Sequence, residues 1–217
     1  NTFEGAYWSA QTAAAAADAV LAGAPKALAL CRPPGHHAQQ DRASGFCFFN
    51  NSAIAATRLR RRYARVAIID FDMHHGDGTQ GIFYARGDVF TGSTHADPRE
   101  TFPFFSGSAA ERGVGPGEGA NLNIPLTRCA TDDDFVGAVT ALIQQAREFQ
   151  AEALVIAAGW DAHRDDPLSP FDVTTDAYAR IADLISEQRL PTVVVQEGGY
   201  HLRAIEDALL AFLIAMH

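Results

Sequence analysis

The sequence is short of cysteine, of positive charge and of long apolar runs, and each shortage removes a class of protein. Its three cysteines, Cys31, Cys47 and Cys129, are odd in number, widely spaced and form no CxxC pair. A disulfide framework is therefore not expected, and a reducing cytoplasm is the expected compartment. No stretch reaches the roughly 18–20 consecutive apolar residues of a membrane span, and nothing has the layout of a signal peptide. Lys and Arg number 17 against 26 Asp and Glu, a net charge of −9. That balance speaks against general nucleic-acid binding and mildly favours cationic ligands, although solubility alone accounts for it equally well. No internal repeat or linker is visible. At 217 residues, 47% hydrophobic and 20% charged, the chain suits one domain, 1–217, that buries roughly 70–75% of its unfolded surface. It begins at Asn1 rather than at a methionine, and an upstream segment is expected to be missing.

What is present alternates between helical and strand-like stretches. Residues 5–23 are Ala-rich without internal breakers and read as a helix. A short apolar run, 27–30, ends at Cys31-Arg32-Pro33-Pro34-Gly35. Residues 51–63 read as a helix capped by the Asn50-Asn51 pair, its last turn made basic by Arg58, Arg60, Arg61 and Arg62. Those arginines are a solvated helix end rather than a nucleic-acid patch. Four further runs rich in Val, Ile and Leu, 66–71, 88–93, 153–157 and 192–196, read as strands buried on both faces. Helices are expected at 132–149, 175–188 and 202–216, and a long ordered loop at 95–125. The pattern predicts an α/β fold, in three layers, with a mainly parallel central sheet flanked by helices.

The ionisable residues that stand out follow these strands: His36-His37, then Asp70 to Asp77, then Asp161, then Glu197 to Tyr200. In open parallel sheets, ligands bind beyond the carboxyl ends of the strands. Side chains two apart in an extended chain share a side, so Asp70, Asp72 and His74 can line one surface while Phe71 and Met73 pack on the other. Two Asp oxygens and one His nitrogen, with Asp161 as the third ligand, would suit a zinc ion with an open position. The plain alternative is a set of hydrogen-bonded strand-end caps. Carboxylate ligands acidify a zinc-bound water less than imidazoles do, so a protein base gains importance. His36 and His37 suit that task, with Asp70 and Asp77 available to fix their tautomers. Tyr200, after Gly198-Gly199, could donate to an oxyanion, or could simply be a packed aromatic. His95, His163 and Cys47 gain no role from spacing, although His163 could be hydrogen-bonded near Asp161.

The segments RPPGHHA (32–38), GFCFFNN (45–51), DFDMHHGDGTQ (70–80), AGWDAHRDDP (158–167) and EGGY (197–200) resemble, in order, the signatures of the histone deacetylase superfamily. The stretch HADPRETFPFFSG (95–107) is more similar to bacterial acetylpolyamine amidohydrolases and class II-like deacetylases. The resemblance implies an arginase/deacetylase-like fold and zinc ligands Asp72, His74 and Asp161. It implies His36 and His37 as base and acid in undecided order, paired with Asp70 and Asp77, and Tyr200 polarising an acetyl carbonyl. Phe46 and Phe102 would wall a narrow channel, and the Gly45 carbonyl would accept the scissile amide N–H. Structural potassium would sit at Asp70, Asp72, His74, Ser93 and Thr94, with a second site on the carbonyls of Phe83, Arg86 and Val89. Polyamine-preferring relatives of one class resemble each other in placing a Glu where this chain has Leu168.

The expected activity is zinc-dependent hydrolysis of acetylated primary amines, either acetylpolyamines, other small acetylated amines or acetyl-lysine. The expected partners are that substrate and a second copy in a homodimer, without nucleic acid or membrane. Three rivals are an inactive acyl-amine binding module, a two-metal arginase-like hydrolase and a non-haem iron oxygenase. The first would normally lack a ligand or the tyrosine, the second needs further Asp and His ligands, and the third wants two His and one carboxylate.

Overall fold

A computed structural model describes residues 1–217 as six helices around one sheet. In chain order the elements are α1 (Thr2–Leu21), β1 (Lys26–Ala29), α2 (Asn51–Leu59), β2 (Val66–Asp70), α3 (Asp77–Phe83) and β3 (Val89–Ala96). There follow β4 (Asn121–Leu126), α4 (Asp132–Glu148), β5 (Ala153–Ala158), α5 (Thr175–Glu187), β6 (Thr192–Gln196) and α6 (Leu202–Ala215). The strands lie in the order β1-β6-β5-β2-β3-β4, and every neighbouring pair is parallel.

Strand alternation divides the core between two faces. Ala67, Ile69, Leu154, Ile156 and Val194 face α4, α5 and α6 in a cluster of 29 buried residues. Val66, Ile68, Val155, Val193 and Val195 face α1 and α2 in a second cluster of 18. A sheet covered on both sides explains why its strands read as unbroken apolar runs. Asn50 caps α2, its side chain accepting the Ala53 N–H at 2.9 Å. Asn1 caps α1 in the same way through the Glu4 N–H.

Three elements differ from the sequence expectation. Residues 95–125 are not all loop: β4 occupies their end, and its Pro125 is tolerated because β4 is an edge strand bonded only to β3. Helix α3 was not anticipated, because its two glycines, Gly78 and Gly81, lower helix propensity. Helix α2 ends at Leu59, four residues short of the expected boundary. The arginines beyond it form a turn in which Arg60 pairs with Asp88 at 2.8 Å.

Candidate active site

The carboxyl ends of β1, β6, β5 and β2 converge because these strands are parallel neighbours. β2 stops at Asp70, yet the alternation continues beyond it: Phe71 and Met73 enter the apolar core, and the polar residues between them meet the other strand ends. His74 Nδ1 lies 3.1 Å from both Asp72 Oδ1 and Asp161 Oδ2. One ligand atom from each of the three falls within 4.8 Å of the others. Backbone amides hold the carboxylates in place: Gly198 N–H donates to Asp72 at 2.7 Å and Met73 N–H to Asp161 at 3.1 Å. Glycine is needed behind them, since a Cβ on Gly159 would stand 2.4 Å from Asp72 Oδ2 and one on Gly198 2.3 Å from Asp161 Oδ2.

This donor set is short of positive charge. Asp72 and Asp161 are fully buried, and their ion pairs are with histidines alone. Burial, and then the Asp72 charge, push the Asp161 carboxyl up to about 7. Burial also works against Asp72, but His36 and His74 outweigh it and hold that carboxyl well below the usual range. For His74, burial is overcome by hydrogen bonds to Asp161 and Asp72, which carry it up to about 10. Two buried carboxylates and an imidazole, with no Lys or Arg beside them, have the composition and spacing that a divalent cation with an open position requires.

The imidazole pair stands next to this set, on the loop after β1. His36 Nδ1 lies 3.0 Å from Asp70 Oδ2. His37 Nδ1 lies 2.7 Å from Asp77 Oδ1, and Gln39 Nε2 donates to the other Asp77 oxygen at 3.0 Å. A carboxylate at Nδ1 keeps the ring proton there and leaves Nε2 free. The two rings are 4.0 Å apart between centroids. Burial and the His36 charge push His37 down to about 4, whereas for His36 burial is outweighed by Asp72 and Asp70, which hold it well above its ordinary value.

Tyr200 approaches from β6. Asp166 fixes its backbone, accepting the N–H of Tyr200 at 2.7 Å and of His201 at 3.2 Å. Burial, with the charges of Asp72 and Asp161, raises the phenol well above its usual range, so it stays protonated. A cleft of about 890 Å³ beside it is lined by Pro33, Phe46, Phe48, Glu197 and Leu202. The Phe46 ring stands 6.3 Å from Tyr200, and the Phe102 ring stands 4.9 Å from His37 at 84°. Gly45 and Phe46 are both left-handed, at φ 51° and 66°, and a Cβ on Gly45 would lie 2.3 Å from the His37 ring.

The remaining expected residues fall around this centre. Ser93 is Asp70's partner in the β2–β3 register, and Thr94 follows it, fully buried. Ser93 Oγ meets His95 Nδ1 at 2.8 Å, and Thr94 donates to Ile124 O at 3.1 Å. Phe83 ends α3 and Val89 starts β3, with Arg86 N–H donating to Phe83 O at 2.8 Å. Leu168 is half exposed on the loop after β5, its N–H held by Asp166 at 3.0 Å. His163, two residues after Asp161 on the loop that follows β5, meets Thr175 Oγ1 at 3.2 Å and stacks on Tyr178. Sequence reasoning missed Asp166, Gln39 and Glu197. Glu197 stood in plain view before the glycine pair, but its partners are backbone amides that spacing does not reveal.

Three comparisons with known proteins place the chain among its relatives. The family model described as histone deacetylase domain matches residues 1–216. The acetylpolyamine amidohydrolase of Burkholderia pseudomallei is 53% identical over 206 residues, 95% of this chain and 60% of that protein. That of Mycoplana ramosa is 45% identical over 201 residues, 92% of this chain and 59% of its own length. A crystal structure of acetylpolyamine aminohydrolase from Burkholderia pseudomallei superposes with a TM-score of 0.95 at 52% identity, covering 97% of this chain and 62% of that one. The chain thus spans about 60% of the length of the curated relatives it matches. By sequence, by fold and by the residues gathered at the strand ends, it belongs to the histone deacetylase family.

Proposed function

We propose that the chain is the catalytic region of a zinc-dependent amidohydrolase that removes acetyl groups from acetylated primary amines, releasing acetate and the free amine. One observation carries this reading. The Asp72, His74, Asp161 set, with both carboxylates buried, shares its strand edge with two carboxylate-held imidazoles and a phenol that stays protonated. The names of the relatives, acetylpolyamine amidohydrolases, support the same chemistry. An inactive binding module has no need of the complete set.

Asp72, His74 and Asp161 would hold the zinc ion, which when bound supplies Lewis acidity toward the acetyl carbonyl and toward water. His37 is the general base: its Nδ1 proton is directed at Asp77, so Nε2 takes a proton from the attacking water. His36, tied to Asp70, completes the pair, and a protonated histidine then passes its proton to the departing nitrogen. Tyr200 donates its phenolic hydrogen to the carbonyl oxygen as that atom gains negative charge. Phe46 and Phe102 wall the channel for the aliphatic chain, Gly45 O accepts the scissile N–H, and Leu168 lies at the rim where substrates are distinguished. Asp70, Asp72, His74, Ser93 and Thr94 suit a structural potassium ion, and the carbonyls of Phe83, Arg86 and Val89 a second. No helix is long and apolar enough to cross a membrane, and we take the enzyme to work in the cytoplasm, as a homodimer.

The test is acetate release from acetylputrescine, acetylspermidine and an acetyl-lysine peptide by the zinc-loaded protein. The small acetylated amines are expected to react fastest. Release from none of the three would remove the hydrolase reading.

A further inference from the structure

We propose that Glu197 is the positioning residue for the paired histidines, tying the turn that carries Tyr200 to the loop that carries His36 and His37; this rests on the amidohydrolase reading above. Glu197 follows β6 directly and is 4% exposed. Its Oε2 accepts the N–H of Gly35 at 2.6 Å and of His36 at 3.0 Å, and its Oε1 accepts the Ser52 hydroxyl at 2.7 Å. All three donors are neutral. Burial pushes its carboxyl up to about 7 even though the His36 charge opposes that rise, and a carboxylate so desolvated contributes poorly to stability. What it contributes is geometry.

The loop is fixed from the other side as well. Thr79 N–H donates to His36 O at 3.0 Å, and Asn50 Nδ2 donates to Ala38 O at 3.1 Å. There is no slack behind it, since a Cβ on Gly35 would stand 2.3 Å from Asn51 N and 2.8 Å from Phe49 O. The amide of His36 is therefore held by Glu197 and its carbonyl by Thr79, with Asp70 and Asp77 orienting the two rings. The same short segment does more. Gly198 N–H donates to the ligand carboxylate of Asp72, and Tyr200 N–H is held by Asp166. Base, phenol and one metal ligand thus share a single mechanical reference at the end of β6.

The carboxylate suits this task because two N–H groups converge on one oxygen while a hydroxyl takes the other. A glutamine can keep the first oxygen and offer its NH2 to Ser52, whereas a methionine of similar length accepts nothing. In the full chain, loaded with zinc, E197M is expected to lower kcat about 10- to 100-fold, the usual range for outer supporting groups. KM for the same acetylated amine should stay within about twofold, since ground-state binding is untouched. Zinc stoichiometry should not change. E197Q should recover kcat to within about threefold of the parent. A purely structural role would instead reduce the fraction of folded, zinc-bearing molecules and leave kcat per such molecule as it was. That outcome overturns the proposal, as does parental kcat in E197M or a loss that E197Q does not recover. Should E197M not fold, E197D decides: it keeps the charge but withdraws the oxygens by one methylene, and the same kcat loss at steady KM is expected, parental kcat being the contrary result. A parent chain that releases no acetate sinks the amidohydrolase reading and this inference together; an active parent beside an equally active E197M sinks the inference alone.

Discussion

Tyr200 and His37 carry two proposed roles that single substitutions can probe. Tyr200→Phe removes one hydrogen-bond donor and no apolar surface, from a phenol that burial and nearby carboxylates keep protonated. Losing a donor aimed at a developing oxyanion costs about 10²–10³ in kcat. That loss is expected here with zinc content unchanged, as read by steady-state kinetics and metal analysis on the same sample. His37→Ala should lower kcat at least as far, again with full zinc. An active variant of either kind removes the role given to that side chain. Asp72, His74, Asp161, the two histidines and Tyr200 could be singled out in the sequence because they gather at the ends of apolar strands and fall in segments that resemble one family, strand-end caps being the competing reading. Asp166 and Glu197 were not assigned, because they act on main-chain N–H groups of distant segments. Such a pairing leaves no trace in residue spacing.

The 97–120 segment shows what an element adds. It carries Phe102, whose ring packs against His37 and for which we propose the channel wall, and Glu111 ties it to the sheet edge. The Glu111 carboxylate accepts from Gln80 Nε2 at 2.6 Å, Gly107 N–H at 3.0 Å, and Ser108 N–H and Asn123 Nδ2 at 3.3 Å. His75 and His95 reinforce the tie through Ser106 Oγ and Gly107 O. Glu111→Ala leaves several of these donors without partners, each worth roughly 1–3 kcal/mol where water cannot reach. KM for acetylated amines is expected to rise several-fold, with a smaller change in kcat, and thermal unfolding should come earlier. Unaltered KM would mean that the wall holds itself. A second tie starts β3, where Asp88 meets Arg86 and Arg60; their hydrogen bonds outweigh burial and pull its carboxyl down to about 2. A depressed carboxyl contributes stability that is complete above its unfolded value, about 3.9, and disappears as pH falls through the folded one. Solvent screening limits the pair to roughly 0.5–1 kcal/mol. Asp88→Asn should therefore lower stability at pH 7 by that amount and approach the parent only as pH falls below about 2, a convergence that denaturant titration across that range can read. Elements rich in Val and Ile announced themselves in the sequence. β4 did not, because an edge strand that is half polar and carries Pro125 lacks the signature of a buried one.

At the scale of the whole molecule, the parallel sheet brings the candidate metal ligands from two different strand ends together at its centre. Asp72 and His74 leave β2, Asp161 leaves β5, and these strands pair in register from Val66 with Ala153 to Asp70 with Ala157. The apolar runs foretold the layers and the parallel pairing, yet not the strand order, because order is decided by which faces α1, α2 and α4 to α6 can cover. A cation bound by these three side chains would span the ends of the two central strands, so its binding free energy would add to global stability and not merely to a local loop. With free zinc at about a hundred times its dissociation constant, linkage gives about 2.7 kcal/mol. For a chain of this length that is a rise in Tm of roughly 5–10 °C. Chelation should lower Tm by this much, zinc should restore it, and Asp161→Asn should abolish the zinc-dependent part while the fold persists. Equal melting curves for chelated and zinc-loaded parent protein would show that the three side chains do not bind the ion, and the hydrolytic chemistry assigned to that strand edge would lose its foundation.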